Sequence, residues 1–181
     1  MDMLWFQRGS KNMNLSEFNS LVQPDKYQVF LFSSPCSFPI SFFSHNWFVT
    51  NNRGKIHRFE VWSYKKRVTP IYGHMTIDFY PPNVGTTVLP GSSNNLNKRR
   101  FESRLVGSIT GDNESLAQSM VDFIENKHTE YPFKFKYHFI PGPNSNTFIQ
   151  WVLNHFPDSG LKLPRNAFGK NITLVTGTCP S

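Results

Sequence analysis

The sequence predicts an α+β domain, a mainly antiparallel sheet packed with two or three helices. Three observations carry that expectation. Runs rich in β-branched and aromatic residues, bounded by turn residues, fill the first half of the chain. An Asn-Asn-Arg-Gly segment at 51–54 joins two of them as a hairpin, which excludes a purely parallel sheet. Apart from a short stretch at 16–21, helical spacing appears only later, at 114–127 and again at 147–156.

With 181 residues the chain has the length of one domain. Its 18 Phe and 4 Trp need a core to pack in, and 17% charged residues is too few for a disordered chain. Residues 26–176 read as the domain, 1–25 as an N-terminal extension and 177–181 as a tail. Within the extension, 16–21 has a short helical pattern with Ser16 placed to cap it. The run 26–33 (KYQVFLFS), bracketed by Pro24 and Pro35, reads as a strand, and a Ser/Pro loop follows. The runs 45–50 (HNWFVT) and 55–64 (KIHRFEVWSY) are the hairpin strands, and a weaker strand covers 74–80. From 81 to 100 Pro, Gly, Ser and Asn dominate, which predicts a long surface loop.

In 114–127, Leu116, Met120, Phe123 and Ile124 share one helical face, Asp112 or Asn113 is placed to cap, and Lys127 and His128 suit the negative end. The stretch 134–140 (KFKYHFI) alternates basic and aromatic residues and reads as a strand with one buried face, broken by Pro141-Gly142-Pro143. The second helix, 147–156, gathers Phe148, Trp151, Val152 and Phe156 on one side, and Pro157 stops it. A short strand at 172–175 closes the chain.

Composition limits the chemistry. Lys plus Arg is 19 against 12 Asp plus Glu, a net charge of +7 that permits an acidic partner without requiring one. Cys36 and Cys179 are too few for a disulfide scaffold or a zinc cluster. There is no H-E-x-x-H, C-x-x-C, P-loop or G-x-G-x-x-G, so neither a metal nor a nucleotide cofactor is expected. The start of the chain lacks the apolar stretch of about 7–15 residues that marks a secretory signal. The most apolar region, 27–43, falls short of the roughly 20 residues of a membrane helix. The expectation is a protein without a membrane span, cytoplasmic by default. The basic runs Lys65-Lys66-Arg67 and Lys98-Arg99-Arg100, beside Tyr64 and Phe101, admit a nucleic-acid surface, but solvated loops explain them more simply.

Two constellations carry more. If 51–54 form a four-residue loop, Thr50 faces Lys55 and His45 lies opposite Glu60. His45, Trp47 and Val49 then share a sheet face with Ile56, Arg58, Glu60 and Trp62. A carboxylate on one ring nitrogen fixes the tautomer and raises basicity at the other, which is the base-and-orienter half of a nucleophilic triad. His57 points to the opposite face and is the alternative orienter should a bulge turn it. The plain alternative is a surface His–Glu pair. The second constellation is 137–148 (YHFIPGPNSNTF), where the chain breaks and re-enters as a helix with Asn144, Ser145 and Asn146 at its N-terminus. One of these serves as the cap in the simplest reading. In the functional reading Ser145 is a nucleophile activated by His45. Trp47, Trp62 and Trp151 read as core rather than as a substrate platform.

The segments HNWFV, RFEVW, PGPNSNTF and LPRNAFGK, in this order, resemble a widespread uncharacterised bacterial domain family. It shows an H-x-W strand, an R-[YF]-E-V strand, PGPNSNTF and a final LP-x-x-A-[IF]-G-K. The resemblance covers about residues 27–171, with matches at His45, Trp47, Arg58, Glu60, Asn144, Ser145, Asn146, Thr147 and Gly169. More distantly, the order of a His strand, a polar residue on the next strand and a nucleophile at a helix start is similar to circularly permuted papain-like proteins, among them NlpC-type peptidases and the lecithin:retinol acyltransferase type. There an Asn-Cys pair precedes the last helix, where this chain has Asn144-Ser145. The resemblance implies a permuted papain-like fold and a hydrolase or acyltransferase acting on an amide or ester of a small-molecule or peptide-like substrate. His45 would be the base, Glu60 or His57 its orienter and Ser145 the nucleophile. Asn144, Asn146, Thr147, Trp47 and Arg58 would be substrate-binding or oxyanion groups. The alternative it implies is a catalytically silent binding domain, since Ser replaces the usual Cys.

Overall fold

The computed structural model describes residues 13–36, 39–63, 69–87 and 100–172. Along them run α1 (Leu15–Leu21), β1 (Tyr27–Pro35), β2 (Ser44–Asn52), β3 (Lys55–Val61), β4 (Met75–Ile77), β5 (Val84–Thr87), β6 (Arg100–Glu102), β7 (Arg104–Gly111), α2 (Leu116–Lys127) and α3 (Ser145–His155). Five strands form one antiparallel sheet in the order β4-β3-β2-β1-β7, and β5 pairs with β6 in a separate ribbon. This is the α+β architecture that the pattern predicts.

The β2–β3 turn is tighter than the sequence suggests. Asn52 pairs with Lys55, so the loop is only Arg53-Gly54, and both residues have positive φ, 51° and 94°. Two successive positive φ angles are the condition for a two-residue hairpin turn that matches strand twist. Asn51 belongs to the strand but its Oδ1 accepts from Gly54 N at 2.7 Å, so it serves the turn from outside. Each cross-strand partner therefore moves by two residues relative to a four-residue loop. A two-residue slip preserves the face of every side chain.

The sheet is buried on both faces. On one, Val29, Leu31, Phe48, Phe59 and Val61 pack against Met120, Val121 and Ile124 of α2 and Phe148, Ile149 and Val152 of α3. On the other, Phe30, Phe32, Trp47 and Val49 enclose Phe18 of α1. The segment read from sequence as an N-terminal extension thus supplies part of the second layer. β1 lies inside the sheet, between β2 and β7, and is buried along nearly its whole length, in keeping with its continuous apolar run.

Several local expectations are corrected. Residues 132–140 are a chain of turns, with Lys134 N bonded to Tyr131 O and Lys136 N to Phe133 O, and no strand forms there. Alternation alone does not create a ladder, and the turns that open at Pro132 take up the Lys134 and Lys136 N–H groups that a strand would offer a neighbour. β7, which the pattern does not predict, pairs with β1 from Tyr27–Gly111 to Ser33–Arg104. The 81–100 loop contains β5, while 88–99 lies outside the described residues. Caps also differ: Asn14 caps α1 in a capping box with Glu17, and Ser115 caps α2 through Gln118 N. The strand expected at 172–175 falls mostly outside the described residues, as do Lys65, Lys66, Arg67, Lys98, Arg99 and Cys179.

Candidate active site

His45 stands near the start of β2, opposite Ser34 of β1. Continuing the β2–β3 register puts Glu60 beside Trp47, so His45 and Glu60 are diagonal rather than direct neighbours, within reach of long side chains. His45 Nε2 and Glu60 Oε2 are 3.0 Å apart. The same oxygen accepts from Arg58 Nη2 at 2.7 Å. Arg58 and Glu60 are both 0% exposed. The Arg58 guanidinium lies 4.1 Å from the Trp47 ring and donates through Nη1 to the carbonyls of Pro81 and Val84. Trp47 Nε1 also donates to Pro82 O at 2.8 Å, so this loop is held against the second face of the sheet by three bonds.

A buried acid without partners would titrate high. Burial raises the Glu60 carboxyl, but the His45 hydrogen bond and the Arg58 charge outweigh it and hold the group below the usual carboxylate range. Glu60 therefore offers His45 a carboxylate. The imidazole is also packed between Trp62, 4.5 Å between centroids, and Trp47, 5.8 Å. Its Nδ1 engages no hydrogen-bond partner among the described residues.

Ser145 is the first residue of α3, and Asn144 caps that helix. Asn144 Oδ1 accepts from Asn146 N at 2.9 Å, and Asn144 N donates to Thr147 Oγ1 at 3.1 Å. The pattern Asn-Ser-Asn-Thr thus divides its labour. Asn144 and Thr147 form a capping box, and Asn146 docks the helix onto β2 and the last loop by donating to Ser44 O at 3.0 Å and Phe168 O at 2.8 Å. Thr147 Oγ1 further donates to Gly169 O at 2.8 Å. Ser145 Oγ and Ser145 N have no hydrogen-bond partner among the described residues. The serine is spared every structural duty that its neighbours perform.

A cavity of about 20 Å³ joins the two constellations, with His45, Asn144, Ser145 and Asn146 in its wall together with Cys36 and Tyr137. That is room for about one water. Phe43, Phe139 and Phe168 complete an aromatic collar. Burial pushes the Cys36 thiol up to about 12; burial and then the nearby Cys36 push the Tyr137 phenol up to about 12. Sequence spacing does not place Cys36 here, because the pairing of the β1 end with the β2 start that delivers it is a tertiary event. A larger groove of about 620 Å³ runs along the other side of α3, past Leu153, Leu161 and Lys170, and contains none of these groups.

The structure does not bring every candidate to the cavity. His57 bonds through Nδ1 to Asp78 Oδ2 at 2.7 Å on the other sheet face, away from His45. The slip by two residues preserves that outward placement. Trp47 and Arg58 are fully buried and committed to Pro81, Pro82 and Val84, so they form the foundation of the site and meet no substrate directly. Asn146 and Thr147 N–H groups are taken by Asn144, which leaves Ser145 N as the free donor at this helix end.

The model of one protein family matches residues 26–172, which include both constellations and the loop between them. The chain belongs to the DUF3750 family, described as proteins of unknown function. No curated protein and no solved structure matches it. The DUF3750 match begins one residue before β1 and ends at the last described residue, so the sheet, α2, α3 and the cavity all lie inside the family's common region. Among the described residues, no group of three His, Cys, Asp or Glu is placed to hold a metal ion, and no helix is long and apolar enough to cross a membrane.

Proposed function

We propose that this protein is a hydrolase or acyltransferase acting on an amide or ester bond, with Ser145 as nucleophile, His45 as general base and Glu60 as the orienting carboxylate. The reading is supported above all by one arrangement. A buried carboxylate engages His45 through Nε2, while the wall of a single cavity holds that imidazole and a serine hydroxyl with no structural bond. Glu60 holds the proton on Nε2, so Nδ1 is the basic nitrogen. As Ser145 Oγ attacks the carbonyl carbon, Nδ1 takes its proton and then delivers it to the leaving amine or alkoxide. The free Ser145 N–H, at the positive end of α3, is placed to receive the developing oxyanion. Water or a second nucleophile completes the transfer. The one-water cavity implies that substrate enters by displacing the aromatic collar.

This assignment is papain-like in its parts, and circular permutation would explain why His45 precedes the nucleophile in the chain. A silent binding domain is the second reading. It is favoured by one observation: no hydrogen bond joins His45 to Ser145, although such bonds are often loose without substrate. A fluorophosphonate probe with mass-spectrometric mapping separates the two. Labelling of Ser145 that disappears in His45→Ala supports the enzyme. A folded protein that takes up no probe supports the binding domain.

A further inference from the structure

We infer that the mouth of the Ser145 cavity is a docking surface for an anionic phospholipid bilayer. Phe42 is 63% exposed, Ile140 53% and Phe168 49%; Phe168 lines the cavity, and Phe42 and Ile140 adjoin its lining residues Phe43 and Phe139 in the chain. Phe43 gathers them: its ring centroid is 4.0 Å from that of Phe42, 4.3 Å from Phe168 and 5.6 Å from Phe139, the residue before Ile140. Three loops, 39–43, 136–144 and 164–170, thus each present one large apolar tip around one opening. Soluble proteins rarely gather exposed apolar groups in this way without a partner.

Charge selects the partner. These loops contain Lys136 and Arg165, besides Lys170, which lines the groove on the other side of α3, and no Asp or Glu. From Tyr131 to the end of the chain Asp158 is the sole acid. Arg165 is exposed and has no partner among the described residues, whereas Lys170 Nζ donates to Pro164 O at 3.1 Å. Apolar tips that enter the acyl boundary, with cations level with the headgroups, are the pattern of an interfacial protein. The loops that dock are anchored from within: Asn166 Nδ2 donates to Phe42 O, and Asn146 Nδ2 to Phe168 O. The tips are therefore presented by a rigid base.

The test is cosedimentation of the whole chain with vesicles of phosphatidylcholine alone and of phosphatidylcholine with about one-third phosphatidylglycerol. Binding is expected to the anionic vesicles only and to weaken at least tenfold between low and high salt, because surface charges are screened. Phe42→Ser with Phe168→Ser should lower partitioning at least tenfold. Arg165→Glu should lower it several-fold and serves alone if the double variant does not fold by circular dichroism. Ile71→Ser, 62% exposed and outside the three collar loops, should bind like the parent. Ser145→Ala should also bind like the parent, so loss of the enzymatic reading would leave this result intact. The proposal is overturned if the parent ignores anionic vesicles. It is equally overturned if binding survives the collar variants, or if the collar variants instead dissociate a dimer seen by light scattering.

Discussion

Asn46 Nδ2 donates to Asn146 Oδ1 at 2.7 Å across 100 residues of sequence, and that bond joins the strand carrying His45 to the helix carrying Ser145. The two catalytic candidates are thus neighbours of a buried amide pair. Positional tolerance in such a site is small, because a displacement of about 1 Å can cost two orders of magnitude in rate. The amide pair supplies the rigidity that the 20 Å³ cavity needs.

Asn146→Ala removes the acceptor for Asn46 and the donor to Ser44 O and Phe168 O, all within the protein interior. Each buried group left unpaired costs about 1–3 kcal/mol. Asn46 Nδ2 keeps a second bond to Ser44 Oγ at 3.0 Å, which limits the loss. A destabilisation of about 2–3 kcal/mol in urea unfolding is expected on that basis. Ser145→Ala, which breaks no hydrogen bond, should stay within about 0.5 kcal/mol of the parent. If the two variants unfold alike, the division of labour at this helix end is wrong.

Arg58→Met isolates Glu60 from its buried cation. Breaking one side of a buried pair costs about 3–5 kcal/mol, whereas replacing both sides by apolar groups is often near neutral. Arg58→Met combined with Glu60→Leu should therefore recover much of the stability lost in the single variant. The two residues differ in chemical reach, however. Chemistry that depends on His45 should stay lost in the double variant. Denaturation of the two singles and the double, read as a thermodynamic cycle, checks the coupling. A purely additive result would mean that Arg58 acts through Trp47 and the carbonyls of Pro81 and Val84 and not through Glu60.

Acid sensitivity follows from Glu60. Its carboxyl titrates below its ordinary value in the folded protein, so in the interval between the two values the unfolded chain binds more protons. Stability from this group is complete above the unfolded value, about 4.3, and is lost as pH falls through the folded one. Glu60→Gln should be less stable than the parent near neutrality and should flatten the decline on the acid side. Thermal melts from pH 7 down to 3 measure both. Equal slopes for parent and variant would place the acid-labile group elsewhere.

Much of this geometry is legible in the sequence, and the gaps have local causes. The hairpin is visible because Gly54 tolerates the φ of 94° that the turn requires. Its loop length is not, since Asn51 has turn chemistry but spends it from inside the strand. The shared face of His45 and Glu60 survives that error because parity is unchanged by a slip of two. The helix start at Ser145 is foreshadowed by Asn144 and Thr147 at capping-box spacing. β7 escapes notice because Gly107 and Gly111 interrupt its apolar signal, and its pairing with β1 is long-range. Cys36 beside His45 is likewise invisible before the strand ends are paired.

Gly169 connects the last loop to the cap. Its φ is 89°, and a Cβ there would come within 2.5 Å of Asn144 Nδ2 and 2.7 Å of Asn144 Oδ1. Gly169→Ala therefore adds backbone strain and pushes on the side chain that caps α3. A loss of about 1–3 kcal/mol is expected from the backbone conformation alone. Probe labelling of Ser145 should fall with it. Unchanged labelling in a destabilised Gly169→Ala protein would separate the loop from the site.

Cys36 tests the proposed assignment of Ser145 as nucleophile. A thiol is intrinsically the stronger candidate, but only as thiolate, and burial pushes this one up to about 12. At neutral pH it is a small apolar wall, and the hydroxyl of Ser145 beside a base is the better placed group. Iodoacetamide at pH 8 should modify Cys36 at least tenfold faster in urea than in buffer, with peptide mapping to distinguish it from Cys179. Rapid alkylation of the folded protein would move the nucleophile from Ser145 to Cys36. The same shift sets an alkaline limit. Between the unfolded value, about 8.5, and about 12 the folded state retains a proton that the unfolded chain releases, so stability falls as pH rises through that interval. Cys36→Ala should make the fall shallower, leaving the Tyr137 phenol, also held up to about 12, and the Tyr131 phenol, likewise pushed up by burial, to account for what persists.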